Sequence, residues 1–247
     1  MRRLLFPYFF LLFCVPAGAQ SAAAGSQLSN PVVLVIVLGA MALAPFVLMM
    51  LTSFVKISVV LSILRNAFGT QQVPPNPVVT GLAFVLTIFV MVPVVREMYS
   101  AAGIQNTREI FSEASVKSLF DASQKAKEPL RKFLSRHSHA QDRLLFMELA
   151  TRLGRSNNSQ PPAQVDKEDF QVLIPSFATS QLKEAFQIGF IVFVPFIIID
   201  MVVANILLAM GMQMLSPVVI SLPFKLLLFV LVDGWYLVVR GLVLSYV

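Results

Sequence analysis

The chain has very few of the residues that most enzymes use for catalysis or metal binding. Its 247 residues include one cysteine, Cys14, and two histidines, His137 and His139. A single thiol cannot build a disulfide framework or a C-x-x-C site, and residues two positions apart do not face each other on a helix. Metalloprotease, nucleophile-elbow and P-loop motifs are absent from the sequence. The sequence therefore predicts a protein that is not an enzyme and that carries no metal or cofactor.

Charged residues are scarce and unevenly spread. They form 13% of the chain, about half their share in an ordinary soluble domain, whereas 57% of the residues are hydrophobic. Residues 96–184 hold 24 of the 32 charged side chains. A soluble domain could not cover so much apolar surface, so two apolar blocks must face lipid or partner subunits. The polar block is nearly balanced in charge and has no basic run with interleaved aromatics, which argues against nucleic-acid binding.

The N-terminus has the three parts of a secretory signal peptide. Arg2 and Arg3 form a basic start, residues 4–15 are apolar, and an Ala-Gly-Ala cleavage sequence follows at residues 17–19. We therefore expect residues 1–19 to be removed, together with the only cysteine. The alternative is an uncleaved first transmembrane helix.

The rest of the chain is predicted to be mainly α-helical. We expect a first apolar helical hairpin over residues 20–95, a polar, mostly helical domain over 96–184, and a second apolar helical hairpin over 185–247. Residues 32–51 alone can cross about 30 Å of hydrocarbon at 1.5 Å per residue, and hydropathy counts four such segments. Prolines inside them should kink the helices, and the freed backbone groups then need cover from protein or water. These prolines are Pro45, Pro93, Pro195, Pro217 and Pro223.

The charges between the apolar runs suggest an orientation. Residues 56–77 carry Lys56 and Arg65 and no acidic side chain, so the positive-inside rule predicts a cytoplasmic loop. Residues 96–184 would then lie on the far, periplasmic side, in agreement with a signal peptide. Within that polar block, Pro129 is expected to break or kink a helix.

Three ionisable residues lie within apolar sequence: Asp200, Lys225 and Asp233. Charges are costly there and usually pair or face a polar cavity. Pairing between helices or subunits is one interpretation, and a proton or substrate path is the other. Pairing is favoured, because a relay would need more acids in series. Lys225 and Asp233 would lie about 12 Å apart along one helix, too far for direct pairing.

Met210, Met212 and Met214 form an alternating cluster between the arms of the second hairpin. On a helix Met212 would point away from the other two, whereas in an extended loop all three can point one way. Methionine is flexible and polarizable, so such side chains could close a pore around varied cargo. Residue type alone favours the alternative, in which they are ordinary core methionines.

Three segments of the chain resemble the signatures of the FliP/SctR family, whose members are export-gate proteins of type III secretion. The first covers residues 64–76, the second residues 185–200, and the third residues 221–235. The resemblance extends from about residue 32 to the end and is loose only over 97–171. The residues of the first signature include Arg65, Asn66, Gln71, Gln72, Pro74, Pro75 and Asn76.

The resemblance implies a function, an assembly and a location. The function is that of a core export-gate subunit that helps to form a pore for unfolded proteins. The assembly would hold about five copies, joined by FliQ/SctS-like and FliR/SctT-like subunits and served by FlhA/SctV-like and FlhB/SctU-like export proteins. The location would be the basal body in the bacterial inner membrane, with the polar domain on the periplasmic side and much of the apolar hairpins above the bilayer plane. The first signature would form a cytoplasm-side loop.

The resemblance also implies site residues. It makes Met210, Met212 and Met214 a pore gasket, with Gln213 where relatives often have another methionine. It matches Asp200 and the other two ionisable residues without deciding between pairing and gating.

Features of the virulence branch outnumber those of the flagellar branch. The signal peptide and Gly69-Thr70 resemble flagellar members, whereas Gln71-Gln72, residues 208–214 and the ending 241–246 resemble the virulence branch. We therefore favour an injectisome.

Two rival hypotheses are a secondary transporter or ion channel that uses the intramembrane Asp and Lys residues directly, and a membrane enzyme. The absence of a nucleophile with its base argues against the enzyme.

Overall fold

The computed structural model of the chain describes residues 31–69, 74–102, 113–156, 166–212 and 214–247. The predicted signal peptide at 1–19 lies outside the described residues, as do Gln71, Gln72 and Gln213. Those ranges contain helices and no β-strand, so the prediction of a mainly α-helical fold is confirmed. The helices are α1 (Pro31–Leu51), α2 (Phe54–Ala67), α3 (Asn76–Ala102), α4 (Glu113–Arg136), α5 (Ala140–Ser156), α6 (Phe170–Ala209), α7 (Pro217–Leu231) and α8 (Gly234–Leu244).

The chain divides into two compact units, one up to Leu43 and one from Ala44 onward. The described part of the smaller unit is the beginning of α1, an uncharged apolar helix. The larger unit contains the rest of the helices. Two of the boundaries drawn from composition, 95/96 and 184/185, fall inside α3 and α6, so the change from apolar to polar sequence occurs within continuous helices.

Helices α2 and α6 run parallel and form the centre of the larger unit. Ile63 of α2 packs on Gly189 of α6, and further along Phe68 meets Phe196 edge-on, with ring centroids 5.3 Å apart. A Cβ atom on Gly189 would overlap with the Ile63 side chain, so this close approach needs a residue without a side chain. The buried face of α2 follows the helical period, with side chains at spacings of three and four. Its members are Ile57, Val60, Leu61 and Leu64.

A second core lies at the other end of the unit, under the polar part of the chain. Leu134 of α4, Leu173 and Phe177 of α6 are fully buried there, and Phe133 and Tyr246 pack beside them. After α6, helices α7 and α8 therefore lead the chain from the end of α2 back to the polar end of the unit, where the C-terminus lies.

The prediction of a loop is wrong for most of residues 56–77, whereas their cytoplasmic location stays a prediction. Most of this segment is helix α2, and Lys56 is fully buried in an ion pair with Glu184. Lys56 therefore gives no support to a location opposite the polar block. The positive-inside rule counts charges of solvated loops, and a lysine neutralised by a distant carboxylate is not such a charge.

Prolines interrupt the helices less than expected. Helix α4 continues through Pro129 to Arg136, so the helix is not broken there. Pro129 is buried, and this packing offsets the backbone hydrogen bond that a proline removes. Pro217 is the first residue of α7, where its missing N–H costs nothing.

Two described helices are long and apolar enough to cross a membrane: α3, with 27 residues, and α6, with 40, each reaching a mean hydropathy of 2.6. Helices α7 and α8, bent by 62° at Val232 and Asp233, meet the same criterion only when the two are counted together. The hydropathy count of four also includes the apolar sequence that forms α1. Only 17% of the most apolar window of α6 is buried, so most of this surface is left for lipid or other chains.

Candidate functional site

The methionine loop, residues 210–214, begins where α6 ends. The Gly211 N–H donates to the Leu208 carbonyl at 3.0 Å, and the Met212 N–H donates to the Leu207 carbonyl at 2.9 Å. Together these bonds form a Schellman cap, which places the residue after the helix in the left-handed region. Gly211 occupies that position with φ +72°. The helix therefore ends before Met212, and both Met212 and Met214 lie outside the described helices.

The three methionines are exposed. Met210 is 61% exposed, Met212 43% and Met214 101%. In the single chain they are not core residues, contrary to what residue type alone favours. A cluster of exposed apolar side chains marks a contact surface rather than a core.

Asp200 of α6 and Lys225 of α7 meet at a point that lies earlier along α6 than this loop. The ammonium of Lys225, which is 2% exposed, lies 2.7 Å from Asp200 Oδ2 and 3.1 Å from the Ala67 carbonyl. The Ser221 hydroxyl donates to the other carboxylate oxygen of Asp200. Lys225 thereby also satisfies a carbonyl at the end of α2 that has no partner within the helix. The geometry is that of pairing between helices within one chain.

An apolar cluster lies at the end of α2, which the Lys225 ammonium also reaches. The ring of Phe68 meets Phe196 at 5.3 Å and Phe229 at 5.1 Å, both edge-on, a favourable arrangement for aromatic pairs. Gly69 ends α2 with φ +81°, and a Cβ atom there would lie 2.8 Å from Val218 Cγ1. The close approach lets α7 bring Lys225 to the end of α2. Within such an apolar surrounding, an ion pair is stronger and an unpaired charge more costly.

Asp233 differs from the expectation of a buried charge. It is exposed and lies between α7 and α8 in the left-handed conformation, with φ 51° and ψ 52°. Aspartate tolerates this conformation better than most residues. A Cβ atom on the next residue, Gly234, would overlap with the Phe229 ring. Asp233 forms the bend and is not brought together with Lys225.

The described residues of the first signature lie at the end of α2 and at the start of α3. The Arg65 guanidinium donates to the side-chain oxygen of Asn76, the first residue of α3. Asn66 and Pro75 are exposed. Pro74 lines a small apolar cavity of about 160 Å³ together with Trp235 and Leu64.

Sequence reasoning missed a polar cluster around Lys56. Its ammonium pairs with Glu184 and lies 4.5 Å from the centroid of the Tyr246 ring, within the range of a cation–π contact. His139 Nδ1 lies 3.7 Å from the same carboxylate. The available signal was the spacing of four between Lys56 and Val60, which places the lysine on the apolar face of α2.

Asp142 anchors α5 to α6 beside this cluster. Its side chain is 3% exposed and accepts hydrogen bonds from Lys183 and Ser180. Burial favours a higher pKa for Asp142, but the hydrogen bonds from Lys183 and Ser180 outweigh it, so the pKa lies below its ordinary value. The Ser180 hydroxyl in turn accepts the N–H of His139 at 2.9 Å.

His137 and Tyr246 pack together next to Lys56. Burial, with smaller contributions from Arg136 and Lys56, lowers the pKa of His137 to about 4. Burial also raises the pKa of Tyr246 well above its ordinary value, and its hydroxyl donates to Gln181. Both groups are therefore uncharged at neutral pH. The whole cluster holds the C-terminus against the polar domain.

The sequence matches known proteins over most of its length. The family model described as FliP family matches residues 37–242. The chain is 43% identical over 226 residues to the flagellar biosynthetic protein FliP of Bacillus subtilis (strain 168), which covers 92% of this chain and 96% of that protein. It is 44% identical over 222 residues to the Yop proteins translocation protein R of Yersinia pestis, covering 89% and 98%. It is 43% identical over 217 residues to the hypersensitivity response secretion protein HrcR of Ralstonia nicotianae (strain ATCC BAA-1114 / GMI1000), covering 86% and 96%.

Proposed function

Because this chain belongs to the FliP family, we propose that it is a core subunit of a type III secretion export gate. In this proposal it forms, with partner subunits, a pore through which unfolded proteins are exported. The names of its relatives refer to flagellar biosynthesis, protein translocation and secretion. The observation that carries the proposal is the identity of 43–44% with these proteins over nearly their whole length.

The apolar surface supports an assembled complex. Large apolar side chains of α6 are exposed along its length, including Phe190 at 64%, Ile191 at 70% and Met201 at 62%. Uncovered apolar surface of this extent marks lipid or partner contacts. We propose a homo-oligomer of about five copies with FliQ/SctS-like and FliR/SctT-like subunits, next to FlhA/SctV-like and FlhB/SctU-like export proteins.

The methionine loop is the proposed gasket of the pore. Its side chains project from the end of α6 and carry no charge, so copies of the loop in a ring would present a flexible apolar constriction. The Schellman cap at Gly211 supports this role, because it turns the chain out of the helix at a defined point.

The proposed location is the bacterial inner membrane, within a secretion basal body and with the polar domain on the periplasmic side. The apolar helices α3 and α6 support the membrane part of this proposal. Lys56 no longer supports the orientation, since it is buried in an ion pair. Arg65 still does, because it lies at the opposite end of α2, next to the start of α3.

The rival transporter hypothesis is less well supported. Lys225 already contacts Asp200 and the Ala67 carbonyl, as expected of a structural ion pair, and Asp233 lies apart at an exposed bend.

We propose an injectisome rather than a flagellar system on the virulence-type features of the sequence. The relatives from the two systems are equally similar, at 43% and 44% identity.

Native mass spectrometry of the chain, purified alone and with its neighbouring subunits, tests the proposal. The expected result is a stable homo-oligomer that takes up the FliQ/SctS-like and FliR/SctT-like chains. A monomer that conducts or exchanges ions by itself in liposomes would instead establish the transporter.

Deletion of the gene in its own host distinguishes an injectisome from a flagellar system. Loss of injectisome export with intact motility is expected, and loss of motility alone would identify a flagellar protein.

A further inference from the structure

A cavity of about 570 Å³ lies between α3, α4 and the C-terminus, at the polar end of the molecule. One wall is apolar and comes from α3, where Val90, Pro93 and Val94 line it. Most of the charged side chains of the cavity come from α4, and Glu97 of α3 and Glu168 before α6 complete the set. The volume is typical of sites for small ligands, and the apolar wall together with these charges suits an amphiphilic molecule.

The charged residues of the cavity are balanced in sign and incompletely paired. They are Arg131, Lys132, Arg136, Glu97, Glu128 and Glu168. Arg131 pairs with Glu128 at 3.1 Å. Among the described residues, Lys132, Glu97 and Glu168 take part in no ion pair. Arg136 donates a hydrogen bond to the Val247 carbonyl. The cavity therefore leaves one cation, Lys132 of α4, and two anions, Glu97 of α3 and Glu168 before α6, for a ligand.

Arg131 is held in place at the edge of the cavity. Its guanidinium lies 5.3 Å from the centroid of the Phe170 ring, within the range of a cation–π contact, and Nη1 pairs with Glu128. Its Nε is buried and therefore does not face the cavity.

The cavity lies at the depth where α3 changes from apolar to charged. Exposed apolar side chains, such as Val85 and Phe89, extend from the cavity along α3, and Arg96 and Glu97 follow the apolar run. In a membrane-spanning helix this change marks the level of the lipid head groups. A lipid head group in the cavity could keep its acyl chains against the exposed face of α3.

We propose that the cavity binds a phospholipid whose head group carries a phosphate and a primary amine, of the phosphatidylethanolamine type. The phosphate faces Lys132 and Arg131, the ammonium group faces Glu97 and Glu168, and the acyl chains follow α3. Charge-assisted hydrogen bonds of both signs then specify the head group. This inference rests on the membrane location proposed above, but not on the partner subunits or on export.

An anionic lipid fits this cavity less well. Phosphatidylglycerol has no amine, so the carboxylates of Glu97 and Glu168 would face a ligand of their own charge. Phosphatidylcholine has the same net charge as phosphatidylethanolamine, but its ammonium group has no N–H to donate to a carboxylate. The three lipids therefore separate the contributions of charge and hydrogen bonding.

Native mass spectrometry of the intact chain in detergent, without partner subunits, tests the site. Phosphatidylethanolamine, phosphatidylglycerol or phosphatidylcholine of matched acyl chains is added in equal amounts, and the fraction of retained lipid is measured. Retention of phosphatidylethanolamine should exceed that of the other two. Lys132→Gln and Glu97→Gln should each lower its apparent affinity about tenfold, the effect of one lost charge-assisted hydrogen bond.

Lys127→Gln is the matched control, since Lys127 is exposed on the same helix and does not line the cavity. Equal retention of the three lipids, or equal binding by wild type and both cavity variants, would overturn the proposal. Displacement of the lipid by an equal concentration of soluble glycerophosphoethanolamine would show that the acyl chains contribute nothing, and would overturn a lipid as the ligand. Because the purified chain alone is measured, a failed export assay leaves this result unaffected.

Discussion

Lys225 and Asp200, 25 positions apart, join α7 to α6 through a contact of 2.7 Å. The two side chains differ in burial, with the lysine at 2% exposure and the aspartate at 32%. Water can therefore solvate the carboxylate if its partner is removed, but it cannot reach the ammonium. The pair braces the helix hairpin that carries the methionine loop, and its two members contribute unequally.

We expect removal of the acid to destabilise the chain more than removal of the base. Asp200→Leu leaves a buried, unpaired ammonium and should lower the free energy of unfolding by about 3 kcal/mol or more. Lys225→Met leaves a partly solvated carboxylate and should cost about 1–2 kcal/mol. Thermal unfolding in detergent measures both, and the double variant should lose less stability than either single variant, since it leaves no charge without a partner.

Equal losses in the two single variants would contradict this asymmetry. Native gels measure the yield of the assembled complex, and comparing this yield with export distinguishes a structural role of the pair from a role in transport. Lys225→Ala should reduce the yield of the complex before it affects export. A normal yield with export lost would point to gating by this pair instead.

Replacement of the methionine loop should make the assembled gate leak. With Met210, Met212 and Met214 changed to alanine, the constriction loses most of its apolar volume, so ion conductance through the reconstituted complex should rise several-fold. Met147→Ala is the control, because Met147 is partly exposed on α5, in the polar domain and outside the loop. Unchanged conductance of the triple variant would refute the gasket.

Gly189→Ala should weaken the contact between α2 and α6. The added Cβ atom would lie 3.2 Å from Ile63 Cβ and overlap with the end of that side chain, and such overpacking costs about 1–3 kcal/mol. Combining it with Ile63→Ala should restore part of the loss. In contrast, Gly81→Ala in α3 meets nothing within 4 Å and should be neutral or stabilising by about 0.5–1 kcal/mol. Thermal unfolding that ranks the two alanine variants in the opposite order would disprove the close contact.

Stability should fall as the pH decreases from about 6.5 to 4, because of His137. Its pKa is lowered from 6.5 to about 4 in the folded chain, so within this window the unfolded state binds a proton that the folded state does not. Protonation therefore favours unfolding as the pH falls. After allowance for solvent screening of a half-buried group, the effect is about 1–2 kcal/mol.

His137→Gln removes this proton and should flatten the pH dependence within the window. At pH 8 the wild-type histidine is neutral in both states, so the pH-dependent difference between the chains must arise on the acidic side. A wild-type stability that stays constant from pH 7 to 4.5 would contradict the burial of this imidazole. Asp142, whose pKa is lowered, contributes its own loss only at more acidic pH, as the folded carboxylate is protonated.

The helical fold could be predicted because it depends on local sequence. Apolar runs longer than a bilayer and the turn at Gly211 are visible in neighbouring residues. The sequence predicts a loop over most of α2, because this segment lies between two apolar runs and carries Lys56. Its burial depends on Glu184, 128 positions away, and no local pattern indicates that partner.

The candidate site was predictable only in part for the same reason. Asp200 and Lys225 were recognised as costly charges in apolar sequence, but their pairing follows from the hairpin between α6 and α7. Asp233 has the same apolar neighbours, yet it is exposed because the backbone bends there. Whether a charge in apolar sequence is paired or solvated is therefore decided by tertiary structure rather than by its neighbours in the chain.

Because helix α6 is continuous, it fixes the angle between its two ion pairs around the helix axis as well as the distance between them. Its 40 residues span about 60 Å. Glu184 in its first half and Asp200 in its second half each contact a lysine from a different helix. Because successive residues turn by about 100°, inserting one residue between them would rotate one carboxylate away from its lysine. Inserting seven would nearly restore the angle but shift the methionine loop by about 10 Å. The angular position of one polar cluster around the axis of α6 therefore fixes the angular position of the other.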